Sequence, residues 1–296
     1  MHRHPDTRGR RPRRVTSIAA MTSLAVITLG GCSSEELSRG FLPRGASEGA
    51  QRVQDLWVGG WIAALCVGVL VWGLTIWCMV AYRRKKDDVG LPPQLRYHVP
   101  IELCYTVIPV MMIGVLFYYT ARDEAILLDT SQKPDVTINV VGKQWSWDFN
   151  YVEAEVWESG VQAQLTGKPG VEATLPTLYL PKGKRVEFVL TARDVIHSFW
   201  VPAFQQKLDM IPGKVNRLQV VPTEEGTYQG KCAELCGQYH ATMLFNVKVV
   251  SQEEYDKHMQ SLRAKGQTGM LDNSLNRAKL EPGQEGRMQW KPEGKR

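Results

Sequence analysis

Four soft or borderline metal donors fall within 12 residues of this 296-residue chain: Cys232, Cys236, His240 and Met243, in Lys231-Cys-Ala-Glu-Leu-Cys-Gly-Gln-Tyr-His-Ala-Thr-Met243. A fifth, His197, stands 35 residues upstream in Asp194-Val-Ile-His-Ser-Phe-Trp-Val-Pro202. Three chemistries compete for this set. A disulfide suits a cysteine pair outside the cytoplasm but leaves both histidines and Met243 unexplained. Two Cys and two His make a tetrahedral zinc set, yet a thioether is a poor zinc ligand. Copper accounts for every member, because thiolate and thioether favour it and imidazole suits it. A mononuclear blue-copper site uses only one Cys. A second Cys in the same loop allows two thiolates to bridge two copper ions, each also taking one His, with Met243 and a backbone carbonyl as weak outer ligands.

Such a loop needs a rigid support, and the surrounding sequence supplies β-rich runs. Val136–Val141, Trp145–Tyr151, Thr177–Leu180, Arg185–Thr191, Val215–Val221, Thr227–Gln229 and Leu244–Val250 read as strands. Pro181-Lys-Gly-Lys184, Pro212-Gly213 and Glu225-Gly226 read as the breaks between them. The pattern predicts an all-β Greek-key sandwich over 122–250, with His197 between two runs and a long surface loop near 153–174. Ser251-Gln-Glu-Glu254 resembles a capping box opening a short helix to about Leu262. The rest of 251–296 is a polar basic tail with few apolar residues.

Upstream the chain reads as membrane-bound. Leu56 to Tyr82 is 27 residues without a formal charge; at 1.5 Å per residue it makes about 40 Å of helix, enough for a roughly 30 Å hydrocarbon core. A second span runs from about Val99 to Thr120, with Pro109 expected to kink it. Trp57, Trp61, Trp77, Tyr82, Tyr118 and Tyr119 suit the interfaces. Arg83-Arg-Lys-Lys86 opens the 83–98 loop and marks it as cytoplasmic, which puts both ends of the 56–121 hairpin outside. Glu102, in the first turn of the second span, is either a functional carboxylate or an interfacial one that reaches water.

Residues 1–31 carry six Arg against one Asp, then an uncharged stretch to Gly31. This is a signal-peptide pattern. Its end, Leu29-Gly-Gly-Cys32, resembles a bacterial lipobox and makes Cys32 a lipidation candidate. Residues 32–55 then form a short extracytoplasmic segment. The net charge of +6 is therefore misleading, since most of the excess lies in the signal. Residues 122–261 hold 18 acidic against 14 basic side chains, which argues against nucleic acid and is compatible with a basic protein partner.

The hairpin, Glu102-Leu-Cys-Tyr-Thr-Val-Ile-Pro109, Gln144-Trp-Ser-Trp147, the His197 segment, Asp209-Met-Ile-Pro-Gly213 and the Cys232–Met243 loop together resemble subunit II of the haem-copper cytochrome c oxidases. The resemblance covers about residues 50–250; Tyr105 stands where family members often have Trp. It implies a two-helix transmembrane hairpin followed by a cupredoxin domain with a binuclear copper centre, CuA. It also implies CuA ligation by His197, Cys232, the backbone carbonyl of Glu234, Cys236, His240 and Met243. Further implications are magnesium on the Glu234 side chain at the boundary with subunit I, electron uptake from cytochrome c at Trp145, and a proton pathway entrance at Glu102. Haem and the oxygen site would belong to subunit I of a bacterial plasma-membrane aa3-type oxidase, which couples oxygen reduction to proton translocation. No Cys-x-x-Cys-His occurs in the chain, so the donor is a separate cytochrome or one held in a respiratory supercomplex. Trp145 and Trp147 have a plain alternative as sandwich core, Asp194 is a docking candidate, and His98 and His258 show no partner in sequence. A quinol oxidase subunit is disfavoured by the cysteine pair. A membrane-tethered copper carrier or assembly factor is the rival of a different class.

Overall fold

The computed structural model describes residues 33–85, 87–91, 94–163 and 174–271. The signal segment with Cys32, and the tail beyond Leu271, lie outside the described residues. The chain divides into two units, one ending at Leu42 and one beginning at Pro43. The first contains helix α1 (Ser34–Ser38), which Ser33 caps in a reciprocal capping box with Glu36.

Two long helices open the second unit: α2 (Ala50–Ala81) and α3 (Val99–Leu127), both long and apolar enough to cross a membrane. Apolar side chains surround each of them, as expected of a helix solvated by lipid. They run past the uncharged stretches because charges at their ends find partners. Arg52 of α2 reaches Asp123 Oδ1 of α3 at 3.3 Å and ties the two helices together, while Arg122, the neighbour of Asp123 in α3, holds the same oxygen at 2.8 Å. Pro109 sits inside α3. At the other end of α3, His98 is the N-cap: its Nδ1 accepts from the Ile101 amide at 3.4 Å, while Glu102 accepts from the His98 amide at 2.8 Å. The pair forms a cap for the helix, so the partner that sequence does not reveal for His98 is the turn it begins.

Ten strands follow among the described residues: β1 (Val136–Lys143), β2 (Ser146–Tyr151), β3 (Val156–Ser159), β4 (Thr177–Pro181), β5 (Val186–Ala192), β6 (His197–Val201), β7 (Gln206–Met210), β8 (Asn216–Val220), β9 (Gly226–Cys232) and β10 (Leu244–Val250). They form two five-stranded sheets, β3-β2-β1-β5-β8 and β4-β10-β9-β6-β7. β1 pairs in parallel with β5 and β10 with β4, so the chain changes sheet rather than running as a meander. Trp147, Phe149 and Tyr151 alternate inward along β2, and the first two meet Phe245 from the opposite sheet; Trp147 lies 4.9 Å from Phe245 and Phe199 lies 5.3 Å from it, centroid to centroid. The β-sandwich expected from the sequence is therefore present.

Three strands lie where no strand is predicted. β3 occupies part of the expected 153–174 loop and extends the first sheet beyond β2. β6 starts at His197 itself and pairs with β9 and with β7, the third unpredicted strand. The short helix, α4 (Gln252–Ala264), runs two residues beyond Leu262. Ser251 accepts from the Glu254 amide, but the reciprocal half of the capping box does not form. α4 is not a surface appendage: Tyr255, Met259 and Leu262 are buried in the sandwich core. His258 stacks on Tyr179, 3.6 Å between centroids, with Nε2 3.3 Å from Glu158, so it too has partners. After α4 the chain turns back along β3, where Trp157 donates to Gln267 O, Gly269 to Glu155 O, and Leu271 to Asn150 Oδ1.

Candidate metal centre

One pair of donors rises from neighbouring strands. His197, wholly buried, begins β6, and Cys232, 5% exposed, ends β9. The imidazole approaches Cys232 Sγ with Nδ1 at 3.8 Å and holds Asp194 Oδ1 with Nε2 at 2.8 Å. Asp194 Oδ2 accepts the Gln144 amide at 2.7 Å, so the carboxylate is satisfied on both sides. A glycine is required opposite the ring, since a Cβ on Gly142 would stand 2.9 Å from His197 Cδ2.

The other donors come from the loop joining β9 to β10. Cys236 Sγ lies 3.9 Å from Cys232 Sγ, 3.6 Å from His240 Nδ1 and 3.7 Å from Met243 Sδ. The Glu234 carbonyl oxygen is 3.2 Å from Cys232 Sγ. Both cysteines are free, at a separation far beyond the roughly 2.05 Å of a disulfide bond.

Electrostatics make the two sulfurs unequal in the metal-free chain. A hydrogen bond from the Cys236 thiol, opposed by burial and helped by His197, holds Cys232 far below the ordinary thiol range. The same bond, together with burial, pushes Cys236 up. Burial alone would pull His197 down, but Asp194 and Cys232 outweigh it and raise it. Burial likewise opposes ionisation of Asp194, and its bonds to His197, Gln144 and Val195 hold it below the usual carboxylate range. A metal would displace the remaining thiol proton, since only thiolates ligate.

The donor set fits copper. Ligand atoms of His197, Cys232 and Cys236 all lie within 4.8 Å of one another. With His240, Met243 and the Glu234 carbonyl there are more donors than one tetrahedral zinc takes, and the sulfur-rich set is soft.

The family "Cytochrome C oxidase subunit II, periplasmic domain" matches residues 136–250. A "probable cytochrome c oxidase subunit 2" of Streptomyces avermitilis is 46% identical, over 95% of this chain and 97% of that one. The "cytochrome c oxidase subunit 2" of Mycobacterium tuberculosis is 35% identical, over 86% of this chain and 83% of that one. The chain belongs to the cytochrome c oxidase subunit II family. Among solved structures, the periplasmic domain of subunit II from Bradyrhizobium japonicum is similar at 32% identity and a TM-score of 0.42, covering 45% of this chain and 97% of that one.

As a subunit II, the chain is a membrane-anchored component of a haem-copper oxidase, with its β-sandwich domain outside the cytoplasm and oxidase subunits as partners. It carries the electron-uptake role of that family, in the reduction of oxygen by the assembled enzyme. Membership also sets aside the copper-carrier rival.

The remaining predicted residues fall in different places. Trp145 lies in the turn between β1 and β2, not in a strand, and its Nε1 donates to the Cys236 carbonyl at 3.1 Å. Its half-buried ring meets Tyr239 edge to face at 4.9 Å. Trp147 is core, as its plain alternative holds, but its Nε1 also reaches the Met243 carbonyl at 3.4 Å. The Glu234 side chain is exposed while its carbonyl turns inward. Glu102 lies at the start of α3, remote in sequence from the centre and engaged in the His98 cap. Asp194, offered by sequence as a docking residue, instead faces inward and orients His197. Gln144, whose Nε2 donates to the Cys236 carbonyl at 2.8 Å, and Gly142 are the residues sequence reading missed. The one available signal was their place just before Trp145.

Proposed function

We propose that His197, Cys232, the Glu234 carbonyl, Cys236, His240 and Met243 together hold a pair of copper ions, the CuA centre of this subunit II. The observation that carries the reading is the convergence of two thiols, two imidazoles and a thioether from β6, β9 and one loop. When bound, the pair takes up and releases one electron, shared between two metals so that little rearrangement is needed.

The chain's own residues do the rest. Asp194 occupies Nε2 of His197, which commits Nδ1 to the metal side. Trp145 offers a half-exposed indole at the surface and one hydrogen bond to the residue bearing a ligand sulfur; electrons arrive there from cytochrome c, free or held in a respiratory supercomplex. The exposed Glu234 carboxylate binds magnesium against subunit I, which contains the haem. Glu102, on the cytoplasmic side, opens a proton pathway into that subunit. Both α2 and α3 span the bacterial plasma membrane, the amino-terminal signal is removed, and Cys32 carries lipid.

The test is metal analysis with electron paramagnetic resonance on the purified oxidase. Two coppers in this subunit with a shared-electron hyperfine pattern are expected; zinc, or a single blue copper, would sink the assignment. For the proton pathway, Glu102→Gln should slow steady-state turnover while leaving reduction of the copper pair intact. Unchanged turnover returns Glu102 to its capping role alone.

A further inference from the structure

The junction of the hairpin with the sandwich forms a polar cavity of about 230 Å³, open on one side. Its guanidiniums are Arg52, which also binds Asp123 at 3.3 Å, and Arg185. Of its two carboxylates, Glu48 is 68% exposed at 3.8 Å from Arg185, and Asp129 is engaged by the Ser131 amide. Gly49 forms part of the wall and caps α2 without offering a side-chain acceptor. The positive end of a 32-residue helix therefore meets a space that already holds two guanidiniums. This environment suits an anion, phosphate above all.

A second observation is independent of the helix end. Gln206 and Gln219 line the same cavity, and the Oε1 of each is buried with no hydrogen-bond partner among the described residues. Gln219 is only 6% exposed. Its Nε2 donates to the Gln132 carbonyl at 2.8 Å and lies 3.3 Å from Glu187 Oε1, which fixes the orientation of the amide and leaves the oxygen over. A ligand that completes this site brings hydrogen-bond donors as well as negative charge.

A third feature gives direction. An apolar groove of about 400 Å³ on α2 begins at Val53, next to Arg52, and passes Trp57 and Trp61 to Ala64. Arg52, Leu56, Gly60 and Ala64 recur every four residues and so share one helix face. The polar cavity thus lies where α2 enters its apolar stretch, at the outer surface of the bilayer.

We infer that this junction is a binding site for one outer-leaflet phospholipid. The phosphate meets Arg52, Arg185 and the start of α2, the headgroup's ammonium or hydroxyl groups face Gln206 and Gln219, and an acyl chain follows the groove. The cavity is smaller than the roughly 300–1,000 Å³ usual for drug-sized ligands, which suits a headgroup whose chains remain outside. Choline has no N–H or O–H donor, so the site selects ethanolamine, glycerol or inositol headgroups over it.

The test is native mass spectrometry of the intact oxidase, counting retained phospholipids. Arg52→Gln and Gly60→Leu should each lose one phospholipid per complex, with subunit composition and copper content unchanged. Because Arg52 also binds Asp123, Gly60→Leu guards against misfolding: a Cβ at Gly60 meets nothing within 4 Å. After delipidation, phosphatidylethanolamine or phosphatidylglycerol should refill the site and phosphatidylcholine should not. Soluble glycerophosphoethanolamine should compete poorly, because it lacks the chain. Wild-type lipid counts in both variants, refilling by phosphatidylcholine, or full competition by the soluble phosphoester would each overturn the inference.

Discussion

The two halves of the metal centre are built differently. His197 and Cys232 stand on paired strands, with Phe199 opposite Cys232 in the β6–β9 register, and are fixed by the ladder that makes the sheet. Cys236, His240 and Met243 belong to a loop and have no ladder of their own. Their rigidity is borrowed. The Cys232 amide donates to the Met243 carbonyl at 3.0 Å, Trp147 reaches the same oxygen, and Gln144 and Trp145 both donate to the Cys236 carbonyl. The turn between β1 and β2, from the opposite sheet, thus clamps the loop half. Preorganisation of a metal site here depends on residues that never touch metal, and one of them, Trp145, is the proposed point of electron uptake.

Three substitutions probe this division, the most damaging first. Cys236→Ser removes the sulfur nearest both His240 and Met243 and should abolish electron uptake by the copper pair in stopped-flow reduction. Retained uptake would mean the loop half is dispensable. Gly142→Ala attacks the strand half, because the new Cβ stands 2.9 Å from the His197 ring. It should lower copper occupancy and cost about 1–3 kcal/mol in denaturant unfolding, as overpacking does. Full occupancy and stability would show that the ring can yield. Trp147→Phe keeps most of the core volume but deletes the donor to the Met243 carbonyl. The Met243 carbonyl keeps the Cys232 amide as a donor, so the change costs one net hydrogen bond, about 0.5–1.5 kcal/mol, and the bond's 3.4 Å length puts the expectation at the lower end. Copper should remain, with an altered hyperfine pattern; an unaltered pattern would show that Trp147 serves only the core.

The ligand loop was the most legible part of the sequence, because soft donors at short spacing have few other uses. The paired spans were equally plain, since lipid solvation leaves no face polar. Strands were harder. β1, β2 and β5 are buried on both faces for much of their length, which blurs the alternation, yet they remain recognisable from their β-branched and aromatic content. β3, β6 and β7 span only four or five residues each and mix polar or charged groups with apolar ones, so their pairing is decided by tertiary neighbours. Asp194 was misread for a related reason. Composition places a carboxylate near a docking face, but only the fold turns it 2.8 Å from a ligand imidazole.

The return of the chain along β3 changes where this extracytoplasmic domain ends. Val250 closes the last strand and is the natural place to cut when a soluble form is wanted. Cutting there would strip Tyr255, Met259 and Leu262 from the core and lay bare the backbone at β3, where the Trp157 amide and the carbonyl of Glu155, just before the strand, are answered by Gln267 and Gly269. An unpaired strand beside exposed apolar surface is a template for self-association. A soluble form carried through Leu271 keeps that edge occupied by its own chain and should remain monodisperse where the shorter one aggregates.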